Sequence, residues 1–104
     1  MSDVLTQADD WAAGGRRVAL ATVVATRKSA PLPPGSKMAV SETGDVVGAV
    51  SGGCVEGAVV EVAEEIIGGA DARLLHFGIA DSEAWEVGLP CGGEIDVFVE
   101  RYER

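Results

Sequence analysis

A single amphipathic helix is the strongest structural signal in this sequence. Between residues 55 and 67, apolar side chains recur at intervals of three and four, and the glutamates lie mostly outside that stripe. This spacing puts the apolar residues on one face of an α-helix, which must be buried against another element. The stripe comprises Val55, Ala58, Val59, Val62, Ala63, Ile66 and Ile67. Gly68-Gly69 predicts the end of the helix, and the pattern as a whole predicts a domain with a hydrophobic core.

The remaining segments predict about five strands and one or two further helices. Strands are expected at 18–26, 37–41, 46–50, 72–77 and 94–101, where β-branched residues or apolar alternation prevail. The first strand is apolar on both faces and is therefore expected to be covered on both sides. Helices are expected after Ser2, ending at Gly14-Gly15, and over 82–87. The fold class is therefore α+β: a single small domain, 1–104, whose mixed or antiparallel sheet of about five strands packs with two to three helices.

Composition and charge exclude several classes of protein. The chain has 104 residues and 47% apolar content, which suits one folded domain. Seventeen acidic and eight basic residues give a net charge of −9, which would repel nucleic acid and anionic lipid, so neither is an expected partner. The longest apolar stretch, 18–25, is far short of the roughly 20 residues that span a bilayer. Nothing in the sequence resembles a targeting signal, and two cysteines are too few for a disulfide framework, so the cytoplasm is expected.

A glycine pair separates a predicted strand from the main helix, at Ser51-Gly52-Gly53-Cys54. The first-turn N–H groups of a helix lack intrahelical partners, and together with the helix dipole they favour an anion. A thiol at that positive end, such as Cys54, ionises more readily than a free one. The alternative is that the glycines form only a tight turn and that Cys54 fills a small apolar space.

A second cysteine is embedded in glycines, in Gly88-Leu89-Pro90-Cys91-Gly92-Gly93. The flanking glycines leave the sulfur of Cys91 and the neighbouring amides accessible to a ligand. The alternative is a simple bend with Cys91 facing the core. Two cysteines and one histidine fall short of the four ligands of a tetrahedral metal site, and a disulfide is not expected in the cytoplasm.

Three of the eight basic residues fall within eleven positions, at Arg27, Lys28 and Lys37. Near an anion site they would attract a negatively charged ligand despite the net charge of the chain; the alternative is a solvated loop. His76 is expected to pack beside Leu74 with its hydrogen bonds satisfied, a ligand or acid–base role being the alternative. Trp11 and Trp85 are expected in the core.

Taken together, three segments resemble the N-terminal domain of the XdhC/CoxI family, accessory proteins for the maturation of molybdenum hydroxylases. The segments are KSAP to GSKM at 28–38, GAVSGGCVE at 48–56 and WEVGLPCGGEI at 85–95. They occur in the order found in the family and cover most of positions 17–100. The SGGCVE and GLPCGG forms are more similar to the CoxI-like branch, which is associated with carbon monoxide dehydrogenase-type enzymes, than to the xanthine dehydrogenase branch.

The resemblance implies a cytoplasmic chaperone that binds molybdenum cofactor (molybdopterin) transiently, supports its sulfuration and delivers it to an apo molybdenum hydroxylase. Such a cofactor is an anionic pterin phosphate with dithiolene sulfurs and a metal, which suits amide donors, cations and thiolates. The site residues implied are Ser51, Gly52, Gly53 and Cys54 at the helix end, Cys91, Gly92 and Gly93, and the cations Arg27, Lys28 and Lys37. Cys91, and with it Cys54, is expected to contact molybdenum or to handle the exchanged sulfur.

Many members of the family continue into a Rossmann-like domain, whereas this sequence stops at Arg104. We therefore expect such a domain or a sulfurtransferase as a separate partner, and a homodimer that covers the exposed face. Two other functions stay open. One is a thiol-dependent sulfur or group transferase with Cys91 as nucleophile, against which stands the lack of a convincing base, since His76 is the only histidine. The other is an assembly subunit that docks the hydroxylase without binding cofactor.

Overall fold

Two helices and five strands form the part of the chain that the computed structural model describes, residues 3–27, 32–51, 55–78 and 94–103. In chain order they are α1 (Asp3–Ala13), β1 (Val18–Arg27), β2 (Lys37–Ser41), β3 (Val46–Gly48), α2 (Glu56–Ile67), β4 (Arg73–Gly78) and β5 (Glu94–Tyr102). The strands form one sheet in the order β3-β2-β1-β5-β4, with every pairing antiparallel. The predicted α+β class is confirmed. The short helix expected over 82–87 and Trp85 lie outside the described residues.

The main core lies between α2 and one face of the sheet. Along α2 the predicted stripe is buried at Val59, Ala63, Ile66 and Ile67, with Ala58 and Val62 packed at its margin. Strands β1, β2, β4 and β5 contribute inward-facing side chains, which alternate along a strand with the two-residue period of the pleat. They are Ala19, Ala21, Val23, Met38, Val40, Phe77, Ile95, Val97 and Val99. In the last strand, Ile95, Val97 and Val99 form this inward face.

A second, smaller core lies on the opposite face of the sheet, beneath α1. It consists of Ala8, Val18, Leu20 and Ala39, with Trp11 packed against it. Because α1 packs on β1, β2 and β3, it covers only the first half of β1. The expectation that β1 is covered on both sides is correct there but wrong further along, where Val24 is 50% exposed.

A shift of register in β1 decides which face its last residues occupy. Val23 pairs with Val97, but Ala25 pairs with Asp96, so one extra residue is accommodated between them. Since side chains alternate from face to face, one inserted residue inverts the alternation beyond it. Arg27, which pairs with Glu94, therefore lies on the same face as Leu20 rather than in the core beneath α2.

Both helices end where the glycine pairs predict. At the end of α2 the N–H of Gly69 donates to the carbonyl of Ile66 and the N–H of Ala70 donates to that of Glu65, both at 3.0 Å. These two bonds form a Schellman motif, which satisfies carbonyls that the helix end would otherwise leave unpaired. Within the described ranges, neither helix has the length and apolar character needed to cross a membrane.

Candidate functional site

The three segments predicted to carry chemistry join the same end of the sheet. In an antiparallel sheet neighbouring strands run in opposite directions, so β1, β3 and β4 end where β2 and β5 begin. Residues 28–31 follow β1, residues 52–54 lie between β3 and α2, and residues 79–93 join β4 to β5. The strand order thus attaches all three segments to one end of the molecule.

Seven of the predicted site residues fall in those segments and lie outside the described residues. They are Lys28, Gly52, Gly53, Cys54, Cys91, Gly92 and Gly93. Their roles remain predictions. Of the other three, Arg27 and Ser51 border these segments, and Lys37 begins β2.

Glu56 holds the two sides of the glycine segment together. Its Oε2 accepts the backbone N–H of Val50 at 2.9 Å and that of Ser51 at 2.7 Å. Its Oε1 accepts the hydroxyl of Ser51 at 2.6 Å, and the Ser51 hydroxyl oxygen in turn accepts the N–H of Val55 at 2.9 Å. The last residues before the segment are thereby fixed against the first turn of α2.

Ser51 is already engaged by these bonds, which limits how its side chain could contact a ligand. The residue is only 1% exposed, and its hydroxyl already donates to Glu56 and accepts from Val55. A side chain engaged in this way shapes the backbone around a ligand more readily than it contacts one. From the sequence, Glu56 is only an acidic residue at the start of a helix. Its hydrogen bonds could not be predicted, because they depend on how residues 50 and 51 fold back onto it.

The first turn of α2 combines two opposing electrostatic influences. Val55, the N-cap residue, forms no side-chain hydrogen bond to the first-turn amides, and the helix dipole favours an anion there. Glu56, the acid of that first turn, would repel an anion, although three donors already bind its carboxylate. The helix end is therefore less strongly positive than the glycine pattern alone predicts.

Four ionisable side chains meet where β1, β5 and β4 lie side by side at this end of the sheet. We call Arg27, His76, Glu94 and Asp96 the charged cluster. The Arg27 guanidinium lies 3.7 Å from Glu94 Oε1 and 3.5 Å from Asp96 Oδ2. His76 places Nδ1 2.6 Å from Asp96 Oδ1 and Nε2 3.7 Å from Glu94 Oε1. With a neutral imidazole, one cation faces two carboxylates, so the cluster carries a net charge of about −1.

His76 is hydrogen-bonded, as expected, but it is not part of the core. Its side chain is 50% exposed, on the same face of β4 as Leu74, which is 61% exposed. The next residue, Phe77, faces the core and is 5% exposed. Alternation along the strand would have placed His76 on the outer face, but the contact with Asp96 depends on the pairing of β4 with β5, which the sequence did not specify.

Lys37 lies at the start of β2, beside Ala49. Its carbonyl accepts the N–H of Ala49 at 3.1 Å, two residues before Ser51, and its ammonium lies 3.5 Å from the hydroxyl of Thr22. Arg27 occupies the same face of the sheet but is five residues beyond Thr22, roughly 15 Å along β1. The structure therefore places Arg27 and Lys37 at one end of the sheet without bringing them together.

The described residues contain no group of three or more histidine, cysteine, aspartate or glutamate side chains arranged to hold a metal ion. The charged cluster is thus a hydrogen-bonded and ion-paired arrangement whose carboxylates already face an arginine and a histidine.

Comparison with known families identifies the class of protein. The model of the XdhC and CoxI family matches residues 11–78, and the chain belongs to that family. The predicted membership of the XdhC/CoxI family is thereby confirmed, and the match includes the segments at 28–38 and 48–56. The CoxI-like branch stays a prediction, because this match covers both names.

Three relatives give the family match more detail. Molybdenum cofactor insertion chaperone PaoD of Escherichia coli K12 is 38% identical over 88 residues, which cover 84% of this chain and 27% of that protein. The uncharacterized protein YqeB of the same organism is 36% identical over 81 residues, covering 78% of this chain and 15% of that protein. A crystal structure described as a xanthine dehydrogenase from Bacillus halodurans superposes with a TM-score of 0.77 at 27% identity, covering 99% of this chain and 31% of that one. This chain spans less than a third of each relative.

Proposed function

We propose that this protein binds molybdenum cofactor and assists its sulfuration and insertion into a molybdenum hydroxylase of the xanthine or carbon monoxide dehydrogenase type. The family match and the 38% identity to an insertion chaperone support the proposal. The observation that carries it in the structure is the shared end of the sheet, to which both cysteine-bearing segments of the family pattern attach.

The described residues at this end fit part of such a cofactor. The first-turn amides of α2 suit the terminal phosphate, because helix N–H groups stabilise an anion. Lys37 lies on the opposite face of the sheet and adds its positive charge from a distance. Glu56 and Ser51 hold the backbone that leads into the glycine segment. When bound, the cofactor supplies molybdenum and dithiolene sulfurs, for which thiolates of Cys91 and Cys54 are suitable soft partners.

Arg27 receives a different role in the proposal from the one that the sequence suggested. Its guanidinium already faces Glu94 and Asp96, so most of its charge is balanced locally. We assign the attraction of the cofactor mainly to Lys37 and Lys28, and assign Arg27 the positioning of the two carboxylates.

We further propose that binding is transient and takes place in the cytoplasm, because a chaperone must release its cargo to the apo-hydroxylase. A second copy of the chain, a separate Rossmann-like domain or a sulfurtransferase would complete the site.

Cofactor binding is tested by producing the chain in a host that makes molybdenum cofactor and measuring bound pterin and molybdenum after purification. We expect stoichiometric pterin in the wild-type protein and its loss in Cys91→Ser. Val46→Ser is the matched control, since Val46 is exposed and begins β3 at the opposite end of the sheet. Folded wild-type protein that carries no pterin, either alone or when produced together with a Rossmann-like domain of the family and a sulfurtransferase, would refute the proposal.

A sulfurtransferase is the second candidate, and the position of His76 favours it. The histidine lies at the end of the sheet to which the Cys91 segment attaches, so a base is available on the correct side of the molecule. Persulfide on Cys91 without bound pterin would support this function. Neither species, with a hydroxylase still co-purifying, would indicate an assembly subunit that binds no cofactor.

A further inference from the structure

We propose that β4 binds an extended segment of a partner protein along the edge that faces away from β5. The segment carries apolar residues on one side and lysine or arginine on the other, and it joins the sheet β3-β2-β1-β5-β4 as a sixth strand. This interaction surface consists of described residues alone and involves neither cysteine, so it is independent of cofactor binding.

The backbone of β4 can pair with a further strand. Among the described strands, β4 has a neighbour on one side only, which is β5. All six residues of Arg73–Gly78 pair with β5 without a break in register, so the edge is regular and about 20 Å long. The N–H and C=O groups of alternate residues point away from the paired neighbour, and this row of donors and acceptors is what an added strand binds.

The polar side chains of β4 do not protect this edge. Edge strands are commonly protected by lysine, proline, a bulge or a short length, and β4 contains neither lysine nor proline. Its two ionisable side chains are held towards the body of the protein. Arg73 Nη2 lies 2.7 Å from Glu65 of α2, and His76 Nδ1 lies 2.6 Å from Asp96 of β5.

The opposite edge of the sheet is much less suited to a partner. It is formed by β3, which has only three residues and on which α1 packs. Of the two edges in the described sheet, β4 therefore offers the longer and less protected one.

The side chains of β4 determine the pattern of the partner segment. On the face towards α2, Leu75 packs against the main core and Phe77 is 5% exposed, so apolar residues of an added strand would extend that core. On the outer face, Leu74 is 61% exposed and His76 contacts Asp96. A lysine there can cover Leu74 with its aliphatic chain while its ammonium approaches the carboxylate.

Charge favours a basic segment over a second copy of this chain. Beside β4 on the outer face, Glu94 and Asp96 face the single arginine Arg27, and Glu65 balances Arg73. The whole chain carries −9, so two copies repel each other whereas a cationic segment is attracted. A six-residue edge is also small beside the about 1,200 Å² that a stable interface between folded proteins buries. It suits one extended segment, bound by backbone hydrogen bonds and selected by alternate side chains.

Peptides of defined pattern test the proposal on the full-length chain. The probe is a seven-residue peptide that alternates lysine with valine and is capped at both ends, and hydrogen exchange of the protein amides is followed by NMR. In the protein alone, the β4 amides that point away from β5 should exchange quickly. We expect bound peptide to slow their exchange by about tenfold or more. No added protection along β4 at about 1 mM peptide would overturn the proposal.

Two altered peptides separate backbone pairing from charge. Methylation of every backbone nitrogen keeps the lysines but removes the N–H donors, and it should abolish the protection of β4. Glutamate in place of lysine keeps the backbone but reverses the charge, and it should weaken binding by about tenfold or more. The proposal requires both interactions, so unchanged binding of either peptide would overturn it.

Leu74→Lys and Val46→Lys are a matched pair of variants. Both positions are exposed, Leu74 on β4 and Val46 on the β3 edge, and both substitutions add one positive charge. Leu74→Lys introduces the residue that commonly protects an edge and should weaken binding of the lysine peptide by about tenfold, whereas Val46→Lys should change it by less than about twofold. Equal weakening would show that overall charge alone controls binding and would overturn the proposal.

Protection of the β4 amides that rises with protein concentration, in the absence of peptide, would show a second copy at this edge and would likewise overturn the proposal. Bound pterin and molybdenum are measured separately. A chain that binds cofactor but not the lysine peptide therefore refutes only this proposal, whereas a chain that binds the peptide but no pterin refutes only the cofactor proposal.

Discussion

Glu42 and Arg17 show how one exposed pair joins separate parts of the fold. Glu42 Oε1 accepts the backbone N–H of Arg17 at 2.5 Å and faces its guanidinium at 3.4 Å. The N–H of Glu42 donates back to the carbonyl of Arg17 at 2.9 Å, and the guanidinium also reaches the carbonyl of Ile67 at 3.4 Å. These bonds connect the start of β1, the turn after β2 and the end of α2.

The hydrogen bond from the Arg17 backbone, assisted by the Arg17 side chain, holds the pKa of Glu42 below its ordinary value. An acid with a lowered folded-state pKa stabilises the fold above its unfolded-state pKa, about 4.3, and loses that contribution as the pH falls through the folded-state value. We therefore expect Glu42→Gln to lower the melting temperature by a few degrees at neutral pH and to match the wild type in strong acid. Glu61→Gln removes the same charge at an exposed position of α2 and should show no melting-temperature difference that disappears in acid. A Glu42→Gln difference from the wild type that stays the same at every pH would contradict the prediction.

Gly48 fixes how β3 leaves the sheet and leads towards Ser51. It adopts a positive φ of 85°, and a Cβ there would collide with the carbonyl oxygen of Lys37 and lie 2.6 Å from Val4 Cγ2. The residue therefore lets the chain pass closely over β2 and lets α1 pack beside it. The same approach brings Ala49 within hydrogen-bonding distance of Lys37.

Comparing Gly48→Ala with Gly44→Ala distinguishes the cost of backbone strain from the cost of steric collision. Gly44→Ala meets only backbone strain, because its φ of 92° is similar and open space surrounds the added Cβ; this should cost about 1 kcal/mol of unfolding free energy. Gly48→Ala adds contacts with β2 and α1 and should cost roughly 3 kcal/mol. Urea unfolding measures both, and equal losses would show that β3 relaxes around the new methyl group.

How far the sequence predicts these elements depends on how local the signal is. The stripe of α2 and its glycine stop predict the helix almost to the residue, because a 3.6-residue period is visible within one segment. The extra residue near Val24 leaves no such signal. Because β1 is apolar on both faces, its sequence pattern looks the same whether or not the side chains beyond that residue change face. The face of Arg27 therefore could not be predicted, and neither could its contacts with Glu94 and Asp96.

At the scale of the whole molecule, the site depends on strand order, which no short segment encodes. The sequence predicted three separate candidate segments, and the order β3-β2-β1-β5-β4 attaches them to one end. The contact between His76 and Asp96, 20 residues apart, likewise requires β4 to pair with β5. Long-range pairing thus supplies what periodicity and motif spacing lack.

If the chain binds the cofactor as proposed, its net charge of −9 should give that binding an unusual dependence on salt. At 10 mM ionic strength the screening length is about 30 Å, close to the roughly 33 Å length of the ten-residue β1. An anionic cofactor then experiences repulsion from most of the chain. At 100 mM the screening length is about 10 Å, so mainly the charges near Lys37 act on it.

Affinity for anaerobically released molybdenum cofactor should therefore rise by roughly three- to tenfold between 10 and 100 mM salt. Titration of pterin fluorescence measures this change, with ionic strength as the only variable. Lys37→Ala removes a nearby cation and should weaken binding at both salt concentrations while preserving the rise, because the repulsion comes from the whole chain. A steady fall in wild-type affinity with salt would instead mean that cations close to the ligand outweigh the net charge, and the assignment of attraction to Lys37 would have to extend to further basic residues.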